Sequence, residues 1–559
     1  MSETICWLDD GTPHSLRFGE RYRSAWQGGL AQARHTFLGG CGLPAAWAGA
    51  AQWRVLEIGF GLGLNFLATW AAWRADPQRP RLLHFVAVEA FPVSADDILR
   101  NIASTDDAAL RALAEELVQQ CSGLFPGAQR LVFDNAQVLL TLHIGAAQSV
   151  LRQQPFTVDS VYLDGFSPPR NPELWSFDTL QTVARHCRRG TRLATWCVAR
   201  SVREALARLG FAVQRVSGAP PKRHNLQASY EPPWPLRAPR LRPGGPLAQA
   251  PAARHCLVLG AGMGGAAAAA SLARRGWQVT VLDAGSSPAA GASGLPAGLF
   301  CPHTSPDDAP LSRLSRAGVR QTLAQLHLLT QQGRLHHGRD WQHSGVLERG
   351  MTRALRLSSE DNSARHDYWS RPASAAQRAA AHLPVNANAI WHAQAGWLRP
   401  ARLVQALLAL PGITWRGGSA VARLVCTASS GTGAPWQALD ATGRVLGQGE
   451  LVVLALGAGS AALLHTLGCA GIAMARHWPL QALRGQISWG WHTPRSRAAV
   501  PPFPVNGHGS LIPAVPLPGA PPGSAWIAGS TFERAPTPQP PAVPNIDGHA
   551  ANAARLARL

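Results

Sequence analysis

Lysine is nearly missing from this 559-residue chain: Lys222 is its single copy, and arginine supplies the rest of the 52 basic residues. Coding bias can exchange lysine for arginine, but it does not explain why basic residues outnumber the 32 acidic ones to leave a formal charge of +20. That excess suits a polyanionic partner such as nucleic acid. The nine cysteines are scattered, odd in number and form no Cys-x-x-Cys pair, which excludes a disulfide framework and a zinc ribbon and predicts reduced thiols in a cytoplasmic protein. No window approaches the roughly 18 to 20 apolar residues of a membrane span. Asp9, Asp10, Arg17, Glu20 and Arg21 interrupt the first 50 residues, so no secretory leader is expected. His327, His336, His337 and His343 lack a spacing that places two on one face with an acidic third ligand, and no metal is expected.

At about 150 residues per domain the length predicts three to four folding units, which two large domains with one subdivided would satisfy. From Trp53 to Phe66 the chain reads as a strand running into Gly59, Gly61 and Gly63 and then a helix over 65–73. Glycines let the backbone approach a ligand, and the helix start offers unpaired amides. The next strand, 84–88, ends at Glu89, a third, 130–133, ends at Asp134 and Asn135, and a fourth, 158–163, ends at Asp164. Open α/β sheets bind ligands outside the carboxyl ends of their strands, so the four ends are expected to converge on one crevice. There Glu89 would accept ribose hydroxyls, Asp134 would hold an adenine amino group, and Asp164 would point into the cleft. The Glu57-x-Gly-x-Gly-x-Gly turn resembles the first loop of S-adenosylmethionine-dependent methyltransferases, although such turns also bind dinucleotides. Pro168, Pro169 and Pro172 then stiffen a loop that presents Phe166, Arg170, Asn171 and Trp175.

Residues 232–253, rich in Pro, Arg and Gly, read as an extended linker. Beyond it comes a strand, the triplet Gly260-x-Gly262-x-x-Gly265, a helix over 266–275, a strand over 278–282 and then Asp283. Asp283 lies 18 residues past Gly265, close to the roughly 20 expected of the acid that holds an adenosine ribose in a dinucleotide-binding unit. The run 451–459 is expected to return to this sheet, making the domain discontinuous with a substrate domain inserted. The Pro-rich region 496–544 reads as irregular loop.

The string Tyr162-Leu-Asp-Gly-Phe-Ser-Pro-Pro-Arg-Asn-Pro-Glu-Leu-Trp175 closely resembles the signature of the methyltransferase half of the bifunctional tRNA 5-methylaminomethyl-2-thiouridine biosynthesis family. The second half is similar to amine-oxidising flavoproteins of the D-amino-acid-oxidase type, through Gly291-Ala-Ser293-Gly-Leu-Pro-Ala-Gly298, Gly396-Trp-Leu-x-Pro400 and Arg484-Gly-Gln486. The resemblance implies a Rossmann-like methyltransferase domain (1–231) followed by an FAD domain (254–559) with an inserted α+β substrate domain. It implies S-adenosylmethionine and FAD as cofactors, Ser293 on the FAD side and Arg484 on the substrate side. It further implies that Asp164 is catalytic and faces the aminomethyl group of a wobble uridine in tRNA. Phe166 and Trp175 would stack on the flipped base, and Lys222 and Arg223, in a loop similar to the family's Gly-x-Lys-Arg, would contact phosphate. In the N-terminal segment only Phe18, Tyr22 and Ser24 match the family, so it implies no catalytic role there. Leu295 stands where the family has Asn. The family's sequence continues past the position of Leu559, so an incomplete flavin domain with weak FAD retention is expected. A monomer without metal or membrane contact completes the expectation. The rival readings are a small-molecule amine oxidase fused to an amine methyltransferase, and an RNA-binding scaffold with an inactive flavin half.

Overall fold

The computed structural model describes the chain apart from residues 1–2, 24–27, 104, 219–221, 237–253, 351–366, 427–435, 468–479, 520–524, 535–545 and 558–559. Most of the expected linker, Ser24 and Cys469 therefore lie outside the described residues. The chain divides near residue 248 into two compact units.

The first unit begins with a three-stranded hairpin sheet of β1 (Ile5–Trp7), β2 (Pro13–Ser15) and β3 (Glu20–Arg21). Its body is an eight-stranded sheet built from β4 (Gln52–Ile58), β5 (Leu82–Glu89), β6 (Gly127–Phe133), β7 (Val138–Ile144), β8 (Val158–Leu163), β9 (Cys187–Thr195), β10 (Phe211–Ser217) and β11 (His224–Tyr230). The order is β10-β11-β9-β8-β4-β5-β7-β6. Strands β9, β8, β4, β5 and β7 are parallel, and nearly all of β7 and β8 is buried, as sheets covered on both faces require. Successive strands run outward from β4 through β5 to β7 on one side and through β8 to β9 on the other. Where that order reverses, the strand ends leave a crevice. One face is packed by Phe66, Trp70 and Trp73 of the helix Leu64–Ala75 against Phe85, Phe133 and Tyr162, and the other by Leu180, Val202 and Leu206.

Two expectations are corrected. The third parallel strand is β7, not the segment ending at Asp134. β6 runs antiparallel to β7 at the sheet edge, so Asp134 stands at the end of the sheet opposite the crevice. The region 496–544 is likewise not all irregular loop: it contributes the strands Val505–Asn506, Ser510–Val515 and Ala525–Gly529 to a seven-stranded sheet.

In the second unit β12 (His255–Leu259) pairs in parallel with β13 (Gln278–Leu282) on one side and with Leu451–Leu454 on the other. The late strand thus returns to the first sheet of the unit, with the seven-stranded sheet formed largely from chain between and beyond.

Candidate active site

The strand ends of the first unit surround a cavity of about 1490 Å³. Gly59, Gly61 and Gly63 all take positive φ, as the turn from β4 into the helix demands, and the first two line the cavity. At Gly59 the need is also spatial, because an added Cβ would lie 1.8 Å from the carbonyl oxygen of Asp164. The glycine turn and the Asp164 loop are thus one construction.

Asp164 follows β8 and is held by two donors. Asn65, in the first turn of the helix Leu64–Ala75, gives Nδ2 to Asp164 Oδ2 at 2.8 Å, and Trp196, just past β9, gives Nε1 to Oδ1 at 3.2 Å. Burial raises the Asp164 carboxyl to about 6, partly offset by these donors and by the positive charge of Lys222. Asn65 also donates to Glu57 Oε1 at 2.7 Å. Glu57 is fully buried, and burial with the Asp164 charge pushes its carboxyl well above the ordinary range. Asn65 thus ties the buried Glu57 to Asp164 through one amide. Lys222 lines the same cavity with Nζ 3.1 Å from the centroid of the Trp196 ring.

Glu89 lines the cavity at the end of β5 and accepts from Gly61 N at 2.9 Å and Phe91 N at 2.8 Å. Gly145 to Ser149, after β7, line the wall where Asp134 was expected. Asp134 itself accepts from Trp70 Nε1 and lies 2.9 Å from Arg74 Nε, so it fixes a helix to an edge strand. Trp175 is also placed otherwise than expected. It is buried, 6.3 Å from Trp196 ring to ring, and its Nε1 donates to the carbonyl of Phe166 at 2.7 Å. It shapes the loop rather than facing a base. Phe166, Arg170 and Asn171 do line the cavity. Arg223 is exposed and not part of its lining.

The hairpin region supplies residues to which the sequence reading assigned no role. Phe18 stacks on Phe166 at 4.7 Å and Tyr22 meets the same ring edge-on at 5.0 Å. Glu20 accepts from both the backbone N and the Oγ of Ser167 at 2.8 Å. All three line the cavity. Phe18 stands in the turn between β2 and β3, so no strand alternation in the sequence marks the three as one face. Asn65 and Trp196 were also missed, although Asn65 opens a helix already recognised.

In the second unit Gly260 has φ +105 and Gly262 caps the helix Met263–Arg274 with no side-chain partner. An added Cβ at Gly265 would lie 1.9 Å from the carbonyl oxygen of Gly260, which is why helix and strand close together there. Asp283 accepts from Ala261 N at 2.6 Å and from Gly285 N at 2.7 Å, and Ser293 Oγ accepts from Met263 N at 3.0 Å. Arg484 stands on a short strand paired with Glu533–Arg534, 3.6 Å from the Glu533 carboxylate. His327 and His337 pack edge-on against Trp341, while His343 bonds the carbonyl of Ala393. One other group, Cys301, Glu348 and His392, brings its ligand atoms within 4.8 Å of one another. Its histidine bonds Ser370 and Glu348 at 2.8 Å each, a complete polar network.

Comparison with known proteins gives concordant matches. A family described as S-adenosyl-L-methionine-dependent methyltransferase matches residues 108–231, and one described as FAD dependent oxidoreductase matches residues 255–559. The chain is 61% identical over 562 residues to the tRNA 5-methylaminomethyl-2-thiouridine biosynthesis bifunctional protein MnmC of Delftia acidovorans, covering 100% of this chain and 85% of that protein. It is 57% identical to the protein of the same name from Paracidovorax citrulli, with the same coverage. The residues present fit both cofactors. The positive-φ glycines 59 and 61 and the half-buried Glu89 frame a cavity wide enough for an adenosyl donor. In the second unit an added Cβ at Gly264 or Gly291 would meet nothing within 4 Å, so open space lies over a helix start suited to a pyrophosphate. This chain, with its methyltransferase and FAD-dependent oxidoreductase parts in that order, belongs to the family of bifunctional tRNA 5-methylaminomethyl-2-thiouridine biosynthesis proteins.

Proposed function

We propose that this chain carries out two consecutive steps on the wobble uridine of tRNA. The part spanning 254–559 removes the carboxymethyl group from 5-carboxymethylaminomethyl-2-thiouridine by FAD-dependent oxidation of the C–N bond. The part spanning 1–231 then methylates the resulting 5-aminomethyl-2-thiouridine. The observation that carries the reading is Asp164, held by two N–H donors in a cavity that also fits an adenosyl donor, in a chain 61% identical to a protein named for this pathway.

S-adenosylmethionine, when bound, supplies an electrophilic methyl carbon on a sulfonium. The chain's residues must then orient a neutral amine in line with it, and positioning of this kind accounts for much of the rate gain in such reactions. Asp164 retains lone pairs beyond those taken by Asn65 and Trp196, so it can accept an amine N–H and aim the nitrogen lone pair. Phe166, stacked on Phe18, offers an aromatic face for the uracil, and Arg170 and Asn171 fit its polar edge. Glu89, Gly59, Gly61 and Gly63 take the adenosyl side. On the flavin side Gly260, Gly262, Gly265, Asp283 and Ser293 take the dinucleotide, and FAD, when bound, accepts the hydride that leaves the substrate C–N unit. The +20 charge supports a polyanionic substrate. The test assays the halves separately: aminomethyl-uridine tRNA with S-adenosylmethionine, and carboxymethylaminomethyl-uridine tRNA without it. Failure of both, with flavin bound, would refute the reading.

A further inference from the structure

The chain's only lysine stands at the catalytic cavity. Every other basic side chain among the 52 is an arginine, so whatever replaced lysine elsewhere did not do so at Lys222. Arginine and lysine serve equally as simple phosphate counter-charges, but arginine cannot give up its proton in a protein and lysine can. The position is also unlike a phosphate-binding rim. Although the residue as a whole is exposed, its Nζ is turned inward over the Trp196 ring at 3.1 Å from the centroid, and the N–H of that same indole bonds Asp164 at 3.2 Å. One indole thus carries the lysine on its face and the aspartate on its edge. Arg223, the next residue, faces solvent instead.

We propose that Lys222 is the proton acceptor for methyl transfer: its neutral Nζ takes the proton that would otherwise keep the acceptor ammonium from attacking, while Asp164 holds the amine. This rests on the acceptor being an amine, as proposed above. The step balances. The ammonium N–H bond breaks, its proton passes to Nζ, and its electron pair remains on the substrate nitrogen. That pair forms the new N–CH3 bond as the S–CH3 bond breaks and its electrons pass to sulfur, leaving the thioether and a secondary ammonium product. The proton on Lys222 returns to solvent through the exposed side of the residue.

The electrostatics suit the role. Desolvation lowers the Lys222 amine to about 8, despite the negative charges of Asp164 and Glu20 and the nearby Cys197 thiol, which all act to raise it. Burial pushes the Cys197 thiol itself upward, which weakens its pull on the lysine. A group titrating near 8 is a usable base at neutral pH, where an ordinary lysine near 10.4 is not.

Because the lysine is unique, lysine labelled with ¹³C at Cε gives a single resonance from the full chain. Its titration should have a midpoint near 8, and Asp164→Asn should lower that midpoint by removing an attracting charge. In single-turnover assays Lys222→Arg should lose about a hundredfold in methyl-transfer rate and the rise in rate between pH 7 and 9, with tRNA and S-adenosylmethionine affinities kept within about twofold. Lys222→Gln, compared at matched urea midpoints, should lose as much, which separates chemistry from folding. A midpoint near 10.4, or Lys222→Arg turning over within threefold of wild type, would overturn the inference. So would a variant that binds tRNA more weakly with its salt slope reduced by about one and its rate unchanged, since that is the signature of a phosphate contact. A wild-type chain that does not methylate aminomethyl-uridine tRNA at all would instead remove the amine-acceptor reading beneath the inference, whatever the resonance does.

Discussion

Replacing Asp164 by Asn should stabilise the protein while abolishing methyl transfer. Burial holds the carboxyl at about 6 in the folded chain against an ordinary value of 3.8. When both states are ionised, the folded state therefore carries a penalty of about 3 kcal/mol, by the conversion of about 1.4 kcal/mol per pH unit. Asn65 can turn its amide to present oxygen to the new Nδ2 only by giving up its bond to Glu57, which costs about 1 kcal/mol, so about 2 kcal/mol of net gain is expected after that rearrangement. The sign follows from proton binding. Between pH 4 and 6 the folded state binds more protons at this site than the unfolded one, so wild-type stability falls across that window and stays lower above it. The gain in Asp164→Asn should thus be full at pH 7.5, shrink as pH falls through 6, and vanish near pH 4. Urea denaturation of both proteins at pH 4, 5.5 and 7.5 measures it. A loss of stability at pH 7.5, or a difference that does not change with pH, would refute the claim that the site stores electrostatic cost at this carboxylate for use in catalysis.

Further outcomes follow from the same geometry. Glu89→Ala leaves the amides of Gly61 and Phe91 without their acceptor as well as removing a ribose contact, so S-adenosylmethionine affinity should fall about ten- to a hundredfold by equilibrium dialysis; unchanged affinity would move the ribose elsewhere. Trp175→Phe removes the hydrogen bond to Phe166, costing about 1 kcal/mol and lowering kcat more than it raises KM for tRNA, whereas a pure KM effect would return Trp175 to the substrate surface. Asp283→Ala should release FAD from the purified chain, read as flavin absorbance per protein, while S-adenosylmethionine affinity stays unchanged. Affinity for tRNA should fall steeply with salt, and a flat dependence would favour a small-molecule substrate.

The parts legible in the sequence were those where one residue type has only one physical use. The glycines at 59 to 63 and 260 to 265, the aprolinic strand 158–163 ending in Asp-Gly, and the acid at 283 each dictate a local backbone, and each stands where expected. Asp134 misled because an acid after a short apolar run looks alike on a parallel and an antiparallel strand. The distinguishing signal was burial: β6 is exposed at its start, whereas Val138–Ile144 is an almost unbroken apolar run, the pattern of a strand covered on both faces. Trp175 misled for another reason, since an indole in a Pro-rich loop serves equally as a platform or a clamp and only tertiary packing decides. The contribution of Phe18, Glu20 and Tyr22 depends on the hairpin sheet folding back onto the loop at Ser167, a long-range pairing with no local trace.

The most direct test of the central claim is mass spectrometry of nucleosides from tRNA bearing 5-carboxymethylaminomethyl-2-thiouridine after incubation with the purified chain. The account predicts accumulation of 5-aminomethyl-2-thiouridine without S-adenosylmethionine and its conversion to 5-methylaminomethyl-2-thiouridine when the donor is added. Unchanged nucleosides under both conditions, from a chain carrying its flavin, would contradict it.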